Sequence, residues 1–151
     1  MIRLNLPSFK INIRNTNSKI EIFDEFRKKF VVLTPEEWVR QHFAHFLVNE
    51  KKFPKGLMVL EYFFNLEKRK KRADIIAFNY LAQPLLVVEC KSAEITINQK
   101  VFDQIARYNM ALKVKYLIVT NGMQHFACLL DYSNLSYQFL EEIPNFEDLV
   151  L

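Results

Sequence analysis

Asp74, Glu89 and Lys91 are the residues of this sequence best placed to do chemistry. They stand in two apolar runs that read as strands, Ala73-Asp74-Ile75-Ile76-Ala77-Phe78 and Leu85-Leu86-Val87-Val88-Glu89-Cys90-Lys91. Charge is rare in such runs, because an unpaired ion costs several kcal/mol to desolvate. Glu89 and Lys91 are two apart, which on a strand points both to one face and Cys90 to the other. Asp74 opens one run and Glu89 closes the next, so a hairpin turning near Gln83-Pro84 brings the two carboxylates together. Two carboxylates suit a hard divalent cation, Mg²⁺ or Mn²⁺, with the Cys90 carbonyl as a further oxygen. Such an ion lowers the pKa of a bound water and stabilises a leaving oxyanion, the needs of phosphodiester hydrolysis. Lys91 can orient the water or neutralise charge on the phosphate. The plainer alternative is a Glu89–Lys91 ion pair at an exposed strand end, which contributes little. Val87-Val88-Glu89 continues a run too apolar for a half-exposed strand, and this weighs against the alternative.

The elements that must position these residues are also legible. Phe9 to Arg14 alternates apolar and polar, Asn15 to Ser18 reads as a turn, and Lys19 to Phe23 alternates again, which suggests a hairpin. Phe30 to Leu33 is a short apolar run. Thr34-Pro35-Glu36-Glu37 is a helix start: Thr34 caps, Pro35 fits the first turn, and Glu37 completes a capping box. The helix carries Trp38, Val39, Phe43, Phe46 and Leu47 to about Asn49, and Phe53-Pro54-Lys55-Gly56 breaks the chain. Leu57 to Leu66 reads as a strand that contains Glu61, a further candidate carboxylate. Lys68 to Arg72 reads as its turn, followed by strands over Ala73–Tyr80 and Leu85–Lys91. Asn98 to Leu112 has helical spacing, with Val101, Phe102, Ile105, Tyr108 and Leu112 on one face. Strands over Val114–Thr120, Gln124–Leu130 and Ser136–Phe139 follow, then an acidic tail. One α/β domain over residues 1–151 is expected, with residues 1–33 as an N-terminal β extension.

Composition excludes several classes. Half of the residues are hydrophobic and a quarter charged, as in folded rather than disordered chains. No apolar run is long enough to span a bilayer, and the first residues lack a signal-peptide core, so a cytoplasmic protein is expected. Gly56 and Gly122 are the only glycines, which excludes the glycine-rich nucleotide-binding loops. No nucleotide cofactor and no ATPase motor are expected. Cys90 and Cys128 lie in apolar runs and read as reduced core thiols. His42 and His45 are three apart on the first helix, without the further ligands a zinc site needs. The formal net charge is +4, and Lys68, Arg69, Lys70, Lys71 and Arg72 contribute five positive charges. Subtracting those five from +4 leaves −1, so the basic character is one patch. A concentrated cationic patch suits a polyanion such as DNA; its bland reading is a solvated hairpin tip.

Asp74…Glu89-x-Lys91 resembles the PD-(D/E)XK nuclease superfamily, whose common core is helix, three strands, helix, strand. The closer resemblance is to the N-terminal nuclease domain of type I restriction endonuclease R subunits. Thr34-Pro35-Glu36-Glu37-Trp38-Val39-Arg40 resembles its opening helix, with Glu37 at an acidic position. Arg72-Ala73-Asp74-Ile75-Ile76 and Val88-Glu89-Cys90-Lys91 match the metal strands, and Gln104-x-x-x-Tyr108 matches a glutamine–tyrosine helix motif. The resemblance spans roughly residues 24–130. It implies a restriction-endonuclease-like core with a mixed central sheet, and a Mg²⁺-dependent deoxyribonuclease of the restriction-modification class. In that reading Asp74, Glu89 and Cys90 hold the metal. Lys91, Glu37 and Gln104 assist catalysis, while Tyr108 and residues 68–72 contact DNA. The superfamily's proline is Ala73 here, and the R subunit's translocase is absent from this sequence. A separate specificity or motor subunit, or a homodimer cutting both strands, would be the partner. The rival reading is a module of the same fold that binds DNA or a partner without cutting.

Overall fold

The two apolar runs become adjacent central strands of a six-stranded sheet. The computed structural model describes residues 1–150; Leu151, the last residue of the expected domain, lies outside them. A three-stranded antiparallel sheet comes first, β1 (Ile13–Thr16), β2 (Lys19–Asp24) and β3 (Lys29–Val32). Helix α1 (Pro35–Asn49) follows, then β4 (Met58–Leu66), β5 (Arg69–Phe78) and β6 (Pro84–Cys90). Helix α2 (Gln99–Asn109) crosses to β7 (Tyr116–Thr120), and β8 (His125–Asp131), β9 (Ser136–Phe139) and a short α3 (Phe146–Val150) complete the chain. The sheet order is β4-β5-β6-β7-β8-β9, with β6 and β7 parallel and every other pair antiparallel. This is a mixed α/β fold.

Burial on both faces explains the unbroken apolarity of β6. Leu86, Val88 and Cys90 pack into a core with Val39, Phe43 and Leu47 of α1. Val87 packs into a second core with Phe102, Ile105 and Ala106 of α2. Thr34 caps α1 as expected, its hydroxyl accepting from the Glu37 amide at 3.0 Å. The capping box is only half formed. The Thr34 amide donates to the Val32 carbonyl, and the Glu37 carboxylate turns to Arg27, Arg40 and Gln41 instead.

Other differences have local causes. The expected strand over 9–14 begins at Ile13, and the Phe30 run is the third strand of its own sheet. The basic run is mostly strand, not turn: Glu67 and Lys68 form the turn, both left-handed, and Arg69 pairs with Leu66. Two residues with positive φ match the twist of a tight hairpin. The β5–β6 connection is Asn79 to Gln83, with Pro84 as first strand residue, where no ladder donor is needed. The tail ends in the short helix α3.

The N-terminal segment is tied to the main sheet. The Asn5 amide donates to the Gly122 carbonyl at 2.9 Å, and the Trp38 indole donates to the Ile2 carbonyl at 2.8 Å. Leu4 is buried against Gly122, whose φ is +85°. A Cβ on Gly122 would stand 2.8 Å from Leu4 Cδ2. Gly122→Ala therefore combines backbone strain with a clash, and a loss of about 1–2 kcal/mol is expected in urea denaturation.

Candidate active site

The sheet forks where the acidic residues stand. The last rung between β5 and β6 is Ile75 opposite Val88, and one further step in that register sets Asp74 opposite Glu89. Beyond this point β5 stays paired with β4 as a two-stranded ribbon, while β6 continues beside β7. The Cys90 amide, past the last rung, donates to Asp74 Oδ2 at 2.8 Å. The Cys90 thiol is buried in the core on the opposite face, as strand alternation requires. Both cysteines are free.

Glu89 and Lys91 share a face. They line a cleft of about 400 Å³ with Arg72, Gln104, Ile105 and Tyr108. The strand motif and the Gln104–Tyr108 helix motif thus meet in one space. Glu89 Oε1 is buried without a hydrogen-bond partner among the described residues. Burial, and then the charge of Asp74, push the Glu89 carboxyl up to about 9. Asp74 has partners on both oxygens, but Glu89 beside it is under-compensated, and an orphaned buried oxygen is what a hard cation would satisfy. The donor set therefore fits a divalent ion. Asp74 and Glu89 are only a pair, and among the described residues no group of three or more His, Cys, Asp or Glu is arranged to hold a metal. Backbone oxygen and water would complete the shell, as Mg²⁺ commonly requires.

A buried network of ion pairs backs the pair on the α1 side. Arg40 reaches Asp74 Oδ1 at 2.7 Å and Glu36 at 3.0 Å, pairs with Glu37, and comes within 3.4 Å of Glu61. Arg27 pairs with Asp24, with Glu37 at 2.7 Å and with Glu61 at 2.9 Å. Burial alone would lower the pKa of Arg40; Asp74 and Glu37 outweigh it and hold the guanidinium above its ordinary range. Glu36 is raised by burial and by Asp74. Arg27 is delivered by the β2–β3 turn, where Asp24 Oδ1 accepts the amides of Phe26 and Arg27 at 2.7 and 3.2 Å. The N-terminal sheet thus places one of the cations that hold α1.

Each expected residue has a defined place. Glu37 is locked between Arg27 and Arg40 and meets Asp74 only through Arg40. Glu61 forms ion pairs with Arg27, Arg40 and Arg72, and its φ of 55° is a left-handed kink inside a strand. Such a backbone costs on the order of 1–3 kcal/mol and turns the side chain toward the arginines. Gln104 is exposed at the mouth of the cleft, and Tyr108 is half-buried. Lys71 lies over the Tyr108 ring at 5.4 Å; Lys68, Arg69, Lys70 and Arg72 are exposed on the ribbon or at its turn. His42 and His45 both pack on the ring of Phe9, and their pKa values are lowered by burial. Arg27 and Arg40 were not legible as site neighbours. Arg40 follows Glu36 by four residues, the spacing of an ordinary surface pair.

A family model, Type I restriction enzyme R protein N terminus (HSDR_N), matches residues 35–144. The chain belongs to this family. The HSDR_N match takes in α1, β4, β5, β6 and α2. Among solved structures, the HSDR_N chain is similar to a fragment assigned to the HsdR subunit of a type I restriction enzyme from Vibrio vulnificus YJ016. The TM-score is 0.54 at 23% identity, over 78% of this chain and 24% of that one, a likeness of fold. This chain therefore spans about a quarter of the length of that relative. Comparison with curated proteins gives no match. Among the described residues, no helix is long and apolar enough to cross a membrane.

Proposed function

We propose that this HSDR_N chain is a metal-dependent DNA endonuclease of restriction type, built on a restriction-endonuclease-like core. The observation that carries the reading is the meeting of Asp74 and Glu89 at the fork, with Lys91, Gln104 and Tyr108 beside Glu89 in one cleft. The order α1, β4–β6, α2, β7 agrees with the helix, three strands, helix, strand core. Asp74 and Glu89 would hold Mg²⁺ or Mn²⁺, with the Cys90 carbonyl and waters. The ion would supply a water of lowered pKa and positive charge for the leaving oxyanion. Lys91 would orient the attacking water, and Gln104 would hold water or phosphate at the cleft mouth. Arg72 and the other cations of the ribbon would bind phosphates. Glu37 would act indirectly, by fixing Arg40 against Asp74. A separate specificity or motor subunit would bring the domain to its DNA.

One observation favours the non-cleaving reading: Arg40 already neutralises Asp74. Cleavage of plasmid DNA with Mg²⁺ separates the two. Wild type is expected to cut, and Asp74→Ala and Lys91→Ala to lose about a hundredfold or more of the rate. Equal rates in all three rule the nuclease out. Absence of Mn²⁺ binding by calorimetry, with salt-sensitive DNA binding retained, would leave the binding module.

A further inference from the structure

The ribbon that leaves the sheet at the fork has two unlike faces. Cross-strand pairs Phe63–Arg72 and Asn65–Lys70 alternate with Phe64–Lys71 and Leu66–Arg69. Phe64 meets the Tyr108 ring edge to face at 6.0 Å, and Lys71 covers the same ring, so that face is turned to α2. The other face carries Phe63, Asn65, Lys70 and Arg72, all exposed. Phe63 is 55% exposed on it. A lone exposed phenylalanine needs no explanation. This one is bracketed by cations: the Lys70 amine is 4.3 Å from the ring centroid, and Arg72 is its cross-strand partner. The Arg72 guanidinium pairs with Glu61 at 3.2 Å, and Glu61 meets Arg40, the partner of Asp74, which links the face to the acidic site.

We propose that this face is a stacking platform for a base of unpaired DNA, with Phe63 as the ring and Lys70 and Arg72 as phosphate contacts. The inference rests on DNA being the substrate of the neighbouring site. In a duplex the π-faces of the bases are covered by their neighbours; in a single strand they are open. The face offers one exposed aromatic ring flanked by cations, the combination that stacks a base and holds its phosphates without sequence readout. The five cations of residues 68–72 supply the charge complementarity to a polyanion.

The test is fluorescence anisotropy of the full chain in EDTA, where no metal-dependent cutting occurs. The probes are labelled oligothymidine and a duplex of equal length, over a range of salt. Phe63→Ala is expected to weaken oligothymidine binding about tenfold without changing its salt slope, and Phe63→Trp to keep the affinity. Lys70→Gln is expected to reduce that slope by roughly one contact, about 0.7. Wild type that does not bind oligothymidine, Phe63→Ala that binds it unchanged, or an equal loss on duplex would each overturn the proposal. Because binding is read without metal, the two readings fail separately. A chain that stacks through Phe63 but never cuts loses the nuclease assignment alone. A chain that cuts yet ignores Phe63 loses this inference alone.

Discussion

Replacing Arg40 with methionine is expected to destabilise the protein by about 3–5 kcal/mol. Methionine keeps much of the side-chain length and removes the charge. Arg40 is 3% exposed and faces four carboxylates, those of Glu36, Glu37, Glu61 and Asp74. Its loss leaves the buried Asp74 and Glu37 side chains short of a partner, which costs more than the pair contributes when intact. Urea denaturation at neutral pH measures the difference. Adding Asp74→Asn to Arg40→Met should recover part of the loss, since the two groups are in contact and their effects are not additive. A loss below about 1 kcal/mol, the usual scale of a surface pair, would show that the network does not hold α1 to the sheet.

Glu89→Gln is expected to flatten the pH dependence of stability between about pH 5 and 9. Folded, Glu89 titrates near 9 because of burial and then Asp74; unfolded, it returns to the ordinary glutamate range. Across that window the folded chain holds a proton that the unfolded chain has released. Stability is therefore fully present below the unfolded value and falls as pH rises, by about 1.4 kcal/mol per unit for one proton. Glutamine has no proton to lose, so the variant keeps at high pH what wild type gives up. Melting temperatures in EDTA from pH 5 to 9 report this directly. Excess Mg²⁺ should restore wild type at pH 8 and do much less for the variant, because a ligand stabilises the state it binds. A wild-type curve that rises over the window would contradict the placement of Glu89.

What could be read from the chain follows from local periodicity. Alternation placed Glu89 and Lys91 on one face and Cys90 on the other, and the Thr34–Pro35 signal placed the start of α1 within a residue. The four-residue spacing of Gln104 and Tyr108 puts both on one helical face, and the resemblance set that face beside the strands; both line the cleft. Properties that depend on distant segments were not legible. Nothing near Glu61 in sequence announces a left-handed backbone inside a strand, because the arginines it meets come from distant segments. Arg27 and Arg40 look like solvated charges until the β2–β3 turn and the sheet close around them. Glu37 carried a sufficient local explanation as a capping residue, and its contact with Arg27 from the β2–β3 turn displaced half of it. The basic run read as a turn because five cations rarely sit in a strand; here the strands run past the fork, where four of the cations are exposed and Lys71 lies half-buried over Tyr108.

Asp74 also completes the backbone. Where β5 peels away, the Cys90 amide has lost a neighbouring strand, and the Asp74 side chain accepts the bond that a carbonyl of that strand would have taken. The residue is a splint as well as a ligand candidate. An alanine there strips the amide of its acceptor and Arg40 of a counter-ion, so an inactive Asp74 variant testifies about architecture and reaction at once. Lys91 holds no such structural post: its side chain makes no ion pair or hydrogen bond among the described residues. The lysine is accordingly the cleaner witness to hydrolysis, and a dead but fully folded Lys91 variant would speak for chemistry alone.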